Sequence, residues 1–239
     1  MMTRESFESS LNNALEFWGG LSSTEIYNYL GSYVLQMVHY DQKNPHHCYD
    51  LFTHTLITVD GIPNNATILL KVAAFFHDIG KPSVAFEKDD RLVFYGHAKK
   101  SVEITTPILK KLGYSSDEIT RIGFYIGHHD DFISWVPQFS NQNDKPYIIP
   151  ITLHNLSLHV RNNLEETDAI TSCDCLSLWS ELLTLCEADA SAQADTIYQN
   201  NVCITSTRWK KTNRISEIKQ LLSIGTINLF NNCKENDSE

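Results

Sequence analysis

Apolar residues recur at intervals of three or four positions along most of the chain, and few residues interrupt this spacing. The 239 residues include 10 glycines and 7 prolines, and long stretches contain neither. Apolar stripes with this period predict amphipathic helices that bury one face. We place helices at 7–18, 24–38, 51–59, 68–77, 97–112, 116–128, 151–164, 167–194 and 206–223. The sequence therefore predicts an all-α helical bundle.

One segment departs from this pattern. Short apolar runs at 84–86 and 92–95 flank the charged sequence "EKDDR". Two such runs around a polar turn predict a short β-hairpin near 84–95. Helix ends are also marked, because Gly113 is suited to a C-cap and Ser115 forms a capping box with Glu118.

The chain shows no internal repeat and no low-complexity linker. We therefore expect a single domain over residues 1–239, with a core at about 41–194. N-terminal helices at 5–40 and a C-terminal helix at about 206–223 would pack on that core. The tail at 230–239 is expected to fray.

Composition excludes several classes of protein. Hydrophobic residues make up 42% and charged residues 20% of the chain, which is typical of globular proteins. No apolar run reaches transmembrane length, and the start lacks a secretory signal, so we expect a cytoplasmic protein that binds no membrane. The net charge of −10 argues against broad binding to a nucleic-acid backbone.

The six cysteines do not form a CxxC pair. Cys173 and Cys175 would point to different sides of a helix. The sequence therefore predicts free thiols in a reducing compartment rather than a cysteine metal site.

The stretch "VAAFFHDIGKP" carries the first indication of chemistry. An apolar run leads directly into His77 and Asp78, and then glycine and proline end the segment. A buried unpaired charge is costly. The pair therefore either belongs to a functional site or is a satisfied polar contact.

Other polar residues also fall within or at the ends of predicted helices. The set comprises His54, His77, Asp78, His97, His128, His129 and Asp189. Side chains from several helices of a bundle can meet at one point. Imidazole and carboxylate together suit Mn²⁺, Fe²⁺, Ni²⁺, Co²⁺ or Zn²⁺. The remaining helix histidines, His46, His47, His154 and His159, are predicted to have core or capping roles.

The ordered set resembles the signature of the HD superfamily of metal-dependent phosphohydrolases. Five blocks, "DQKNPHHCYDLFTHTL", "AAFFHDIGKP", "FYGHAKKS", "IGHHD" and "LTLCEADASA", are similar in order to those of the HD domain attached to bacterial CCA-adding tRNA nucleotidyltransferases. The resemblance covers residues 41–194. The first 40 residues offer no D-x-D pair for nucleotidyl transfer, so CCA addition itself is not expected.

The resemblance implies that the protein binds one or two divalent metal ions. Mg²⁺ is a candidate in addition to the five metals named above. Its first-metal ligands would be His54, His77, Asp78 and Asp189. The second metal would be held by His97 and by one or both of His128 and His129, with Asp78 bridging. His128 is the favoured ligand, because it matches the first histidine of the family's block.

Asp50 lies four residues before His54, where related HD-GYP phosphodiesterases place an extra ligand. Residues four apart share a helix face, so Asp50 is a possible ligand. The alternative, which we favour, is that Asp50 is the N-cap of the helix that begins at Leu51.

The expected function is hydrolysis of a phosphomonoester or a 2′,3′-cyclic phosphodiester on a nucleotide or nucleic-acid end. Asp78 and Lys81 are the candidate catalytic residues, with Lys81 contacting a phosphate oxygen or protonating a leaving group. The partners would be a phosphorylated small molecule or nucleotide, with RNA ends as a further candidate. Two alternatives remain: a phosphodiesterase of a signalling nucleotide, and a non-catalytic module that binds a metal and a nucleotide. The sequence leaves the oligomeric state open.

Overall fold

The computed structural model describes residues 2–44, 46–89, 91–137, 149–194, 197–199, 202–205 and 207–234. The described chain is mostly helical, which confirms the predicted fold class. The helices are α1 (Arg4–Ser10), α2 (Ala14–Gly19), α3 (Ser23–Leu30), α4 (Ser32–Leu35), α5 (Leu51–Gly61), α6 (Ile68–Phe76), α7 (Lys81–Val84), α8 (His97–Leu112), α9 (Ser116–His128), α10 (Leu153–Asn162), α11 (Leu164–Asp168), α12 (Cys175–Ser191) and α13 (Thr207–Lys234). A 3₁₀ turn, Leu11–Asn13, joins α1 to α2.

Short strands form three pairs in the described residues. They are β1 (Phe86–Lys88), β2 (Arg91–Val93), β3 (Trp135–Pro137), β4 (Ile149–Ile151), β5 (Ile197–Gln199) and β6 (Val202–Thr205). Strands β1 and β2 form the hairpin predicted near 84–95, with Phe86 opposite Val93. The parallel pair β3–β4 and the antiparallel pair β5–β6 were not predicted.

Local capping explains where the helices differ from the sequence prediction. The predicted helix at 24–38 is broken at Gly31, whose φ of 86° lies in the left-handed region that favours glycine. The predicted helix at 167–194 is also wrong as one unit. Helix α12 begins after Asp174, whose side chain accepts a hydrogen bond from the Ser177 amide as an N-cap.

The predicted ends of α8 and α9 are confirmed. Gly113 ends α8 with a φ of 89°. Ser115 and Glu118 form the predicted capping box at the start of α9. Residues 230–234 continue α13, residues 235–239 lie outside the described residues, and the frayed tail stays a prediction.

Helix α6 is the centre of the core. Every residue from Leu70 to Phe76 is buried, and α6 packs against α5, α9 and α12. Phe7 and Trp18 of the N-terminal helices stack edge-on or tilted against Phe75. Burial on all sides explains why the apolar run of α6 is nearly continuous rather than periodic.

The two ends of the chain also contact this core. Arg4 of α1 pairs with Glu118 of α9, with Nη2 to Oε1 at 2.6 Å. Helix α13 packs along α12. The single-domain division stays a prediction. In the described part of the chain, no helix combines the length and the apolar character needed to cross a membrane.

Candidate metal centre

The end of α6 carries two polar residues into the centre of the bundle. His77, the C-cap of α6, has no exposed surface, and Asp78 is 1% exposed. The next turn can enter the core only because residue 80 is glycine. A Cβ there would lie 2.6 Å from the carbonyl oxygen of His97 and from the amide nitrogen of Ser101. The Gly80 amide donates a hydrogen bond to the Ser101 hydroxyl at 2.9 Å, which fixes this turn against α8.

One group of ligand atoms forms beside Asp78 from three helices. His54 Nε2 of α5 lies 2.9 Å from Asp189 Oδ1 of α12 and 3.7 Å from Asp78 Oδ2. His77 Nε2 lies 3.2 Å from Asp78 Oδ2 and 3.7 Å from Asp189 Oδ1. The four predicted first-metal ligands are thus brought together.

A second group lies on the other side of the same carboxylate. His97 Nε2 lies 3.2 Å from Asp78 Oδ1, and His129 Nε2 lies 3.6 Å from it. Asp130 joins them, with Oδ2 at 3.2 Å from His97 Nε2. Since Asp78 presents Oδ2 to one group and Oδ1 to the other, its position suits a bridging ligand.

Backbone carbonyls fix the orientation of these imidazole rings. His77, His97 and His129 each place Nδ1 2.7 to 2.9 Å from the carbonyl oxygen three residues earlier. His54 Nδ1 lies 3.3 Å from the Ala192 carbonyl oxygen. A carbonyl only accepts, so each Nδ1 carries a proton, and each Nε2 is the nitrogen that can present a lone pair to a metal ion. This is the arrangement by which proteins orient metal-ligating histidines.

The atoms that face the cluster lack other partners. His54 Nε2, His77 Nε2 and Asp78 Oδ1 are buried without a hydrogen bond. His97 Nε2 and His129 Nε2 lie 3.1 Å apart, although neutral rings would point two lone pairs at each other. Buried acceptors in this arrangement require a cation between them. The residues therefore fit one or two divalent metal ions.

The charges of the cluster lead to the same conclusion. Burial disfavours the charged form of His77, but the Asp78 and Asp189 carboxylates outweigh it and raise the pKa of His77 to about 10. Burial also disfavours the Asp78 carboxylate, yet His77 and Lys81 hold its pKa well below the usual range. The cluster thus binds positive charge strongly, and a metal ion would displace protons from it.

The comparisons with known proteins agree with this geometry. The family model of the HD domain matches residues 46–177, more than half of the chain. The chain belongs to the HD domain family. Members of this family are generally metal-dependent hydrolases, and the His and Asp groups of this HD domain are able to hold metal. No curated protein matches the chain.

Lys81 lies against the bridging carboxylate of the HD domain. Its Nζ lies 2.6 Å from Asp78 Oδ2 and donates to Gln42 Oε1 at 3.1 Å. Burial disfavours the ammonium, but Asp78 raises the pKa of Lys81 above its ordinary value. Lys81 is therefore a cation at neutral pH, and it also lines the cavity beside the cluster.

The preference for His128 over His129 does not agree with the placement of the two rings. His129 is 5% exposed and turns Nε2 to the cluster. His128 places Nδ1 2.6 Å from Asp131 Oδ2 and Nε2 2.8 Å from Glu166 Oε2. Both nitrogens of His128 are thus engaged by carboxylates outside the cluster. The physical reason is the helical turn, which separates neighbouring side chains at the end of α9 by about 100°.

Asp50 is the N-cap of α5, which confirms the alternative that we favoured over a role as a metal ligand. Its Oδ1 accepts from the Phe52 and Thr53 amides, and its Oδ2 accepts from the Thr53 hydroxyl at 2.7 Å. Both carboxylate oxygens are engaged in the cap. Among the described residues, the groups able to hold a metal contain neither Asp50 nor a cysteine.

Three residues that line or support the site were not among the ligands and catalytic residues predicted from the sequence. Asp130 follows the two histidines directly in "IGHHD", and that adjacency was the available signal. Gln42, 1% exposed, contacts Lys81, and Lys211 lines the cavity; both reach the site through tertiary packing, which no local pattern of the sequence indicates.

Proposed function

We propose that this HD domain is a metal-dependent phosphohydrolase that cleaves a phosphomonoester or a 2′,3′-cyclic phosphodiester of a nucleotide or nucleic-acid end. One observation carries the proposal. Four histidines donate Nδ1–H to backbone carbonyls and turn Nε2 toward the two oxygens of Asp78. Four imidazole nitrogens around one carboxylate, next to a cavity, form a set of ligands suited to divalent cations.

Bound divalent metals generate hydroxide from water near neutral pH and neutralise phosphate charge. In the proposed reaction, His54, His77 and Asp189 hold one position and His97, His129 and Asp130 hold the other, with Asp78 between them. The cavity beside the cluster has a volume of about 340 Å³, which is in the lower range of small-molecule sites. That volume supports a substrate of nucleotide size or a single nucleotide at the end of a longer chain.

Lys81 has two roles in this proposal. Its ammonium holds the Asp78 carboxylate by a short charge-assisted contact, which fixes the bridging orientation. From the same place it faces the cavity, where it can donate a hydrogen bond to a phosphate oxygen or a proton to the leaving group. The raised pKa keeps Lys81 protonated at neutral pH, which supports hydrogen-bond donation to a phosphate oxygen.

The nucleotide or nucleic-acid end in the proposal is supported by the sequence resemblance to the HD domain of CCA-adding enzymes. A phosphodiesterase of a signalling nucleotide uses the same ligands and differs in the substrate that the cavity admits. A module that binds without turnover would bind metal and nucleotide equally well but release no product.

The test is metal removal followed by separate reloading with Mn²⁺, Fe²⁺, Ni²⁺, Co²⁺, Zn²⁺ or Mg²⁺. Each form is assayed with p-nitrophenyl phosphate, nucleoside monophosphates, 2′,3′-cyclic AMP and cyclic dinucleotides. We expect turnover with at least one metal and one ester, and none after chelation. Binding of metal and nucleotide without turnover of any ester would support the binding module and overturn the proposal.

A further inference from the structure

Lys211 is a cation beside the cluster that belongs to no motif. It lies on α13, outside the matched residues 46–177. Its side chain lines the cavity of about 340 Å³ together with Asp78, His129 and Asp189. It also lines a smaller adjoining space of about 30 Å³ beside Asp130. The C-terminal helix thus brings a positive charge to the metal cluster.

The ammonium of Lys211 has no partner among the residues that the structure describes. Asp189 and Asp130 are near enough to act on it electrostatically, but neither forms an ion pair with it. Burial lowers the pKa of Lys211 below its ordinary value, although these carboxylates oppose that shift. A half-buried cation without an anionic partner is unfavourable. Binding of an anionic ligand next to Lys211 would therefore stabilise the site.

The other basic side chains at the cavity are either already paired, exposed or uncharged. Lys81 already contacts Asp78 and Gln42. Arg91 of β2 lines the cavity but is exposed. His47 is a neutral acceptor, because burial and the nearby Lys81 lower its pKa to about 2. Lys211 is therefore the cation best placed to meet a ligand oxygen that the two metal positions leave without a partner, because Lys81 is already engaged by Asp78 and Gln42.

The chemistry of phosphate esters indicates which oxygen this is. A phosphodiester has two non-bridging oxygens and one negative charge, and a phosphomonoester dianion has three such oxygens and two charges. Metal ions held at the two positions would supply partners for two of these oxygens. The third oxygen is present only in the monoester and requires a further charged donor.

We propose that Lys211 binds this third oxygen and makes the site select phosphomonoester dianions over phosphodiesters. The inference rests on the proposed function and narrows it to one substrate class. It assigns a specificity-determining residue to the C-terminal helix, which the family match does not include.

The experiment compares Lys211→Met with Lys210→Met. Lys210 is the exposed neighbour on the same helix and serves as the matched control. The readouts are kcat/KM for p-nitrophenyl phosphate and for bis-p-nitrophenyl phosphate, calorimetric binding of inorganic phosphate to the metal-loaded protein, and metal content. For Lys211→Met we expect roughly 10-fold or greater losses of phosphate affinity and monoester kcat/KM, the effect of one charged hydrogen bond. Diester turnover should fall less than about 3-fold, with metal content unchanged.

The outcomes separate the inference from the proposed function. Equal losses on both esters, or no loss on either, would overturn the role of Lys211 while leaving the hydrolase intact. If the wild type turns over neither of these two esters nor any ester of the metal-reloading assay, the proposed function fails, and phosphate binding alone then decides whether Lys211 binds the anion.

A second measurement uses the wild type and does not depend on the variant folding. Acetic anhydride labels Lys210 and Lys211 of the metal-loaded protein, and mass spectrometry follows each residue with and without saturating inorganic phosphate. We expect phosphate to slow labelling of Lys211 severalfold and to leave Lys210 unchanged. Equal labelling rates of Lys211 with and without phosphate would overturn the inference.

Discussion

His128 and His129 are consecutive residues at the end of α9, yet they occupy different chemical environments. His129 donates Nδ1–H to the Ile126 carbonyl and directs Nε2 to the cluster. His128 has a carboxylate at each nitrogen, Asp131 at Nδ1 and Glu166 at Nε2. Ionised carboxylates only accept, so both nitrogens of His128 must donate. His129 thus turns one nitrogen toward the cluster, whereas His128 donates from both nitrogens and is a cation.

The difference shows that the partner of the second ring nitrogen decides what a histidine can do. A carbonyl partner at Nδ1 leaves Nε2 able to present a lone pair when the ring is neutral, whereas carboxylates at both nitrogens stabilise the imidazolium, which has no lone pair. Burial works against the charged form of His128, but Asp131 and Glu166 raise its pKa above the ordinary value. His128 therefore ties the end of α9 to α11 rather than to the metal position.

The largest effect should come from Asp78→Asn, compared with Asp131→Asn. Asp78 contributes to both ligand groups, and the substitution removes one anionic oxygen from the bridging position. We expect metal content to fall to a small fraction and hydrolysis to drop at least about 100-fold, since the loss of hydrogen-bond partners behind the ligands alone costs 10- to 100-fold. Asp131→Asn should retain metal. Elemental analysis and kcat measure both effects, and full metal content in Asp78→Asn would contradict the site.

Next in size is the pair His129→Ala and His128→Ala. His129→Ala should lose one metal ion per chain and most hydrolysis, because its Nε2 is a ligand of the second group. His128→Ala should retain both metals and lose stability instead, because Asp131 and Glu166 lose their shared cation. Metal occupancy and urea unfolding of the two variants distinguish these effects. If His128→Ala loses a metal and His129→Ala does not, the assignment of the two rings is reversed.

The sequence predicted the elements that carry the site because those elements follow local rules. The apolar run of α6, the capping box at Ser115 and the hairpin after residue 84 each depend on neighbouring residues. The family resemblance supplied His54, His77, Asp78, His97 and Asp189, and the structure brings these residues together.

The preference for His128 over His129 does not match the placement of the two rings, and the reason is physical. One residue step turns a helical side chain by about 100°, and no local pattern states which direction faces the core. The partners that decide it, Ile126 for His129 and Glu166 for His128, become evident only when α9 and α11 are placed. Lys211 could not be predicted from the sequence for the same reason. It is 22 residues from Asp189 in sequence, and packing places both residues at the same cavity.

A smaller effect is expected for the stability of Asp131→Asn. Asp131 Oδ2 accepts from His128 Nδ1 at 2.6 Å and from His159 Nε2 at 3.0 Å. Asparagine retains one acceptor but removes the charge that compensates His128. We expect the free energy of unfolding to fall by about 1 to 3 kcal/mol, the cost of leaving a part-buried charged group under-bonded. Urea denaturation at constant metal loading measures it, and unchanged stability would show that the network contributes little.

The smallest effect should come from Glu166→Gln, which removes the other carboxylate partner of His128. The Glu166 side chain is 65% exposed, whereas that of Asp131 is 23% exposed. Solvent screens an exposed pair, and glutamine retains an oxygen that accepts from His128 Nε2. We therefore expect a loss of about 0.5 kcal/mol or less, smaller still at high salt.

Metal content and kcat should be unchanged in Glu166→Gln, because the substitution alters only the outer edge of the His128 contacts. Urea unfolding at low and high salt, beside Asp131→Asn, provides the measurement. A loss as large as that of Asp131→Asn would mean that the exposed carboxylate is essential to the charge of His128. A loss of bound metal would show that His128 and His129 are coupled through α9. The assignment of His129 to the metal position and of His128 to a purely structural role would then be wrong.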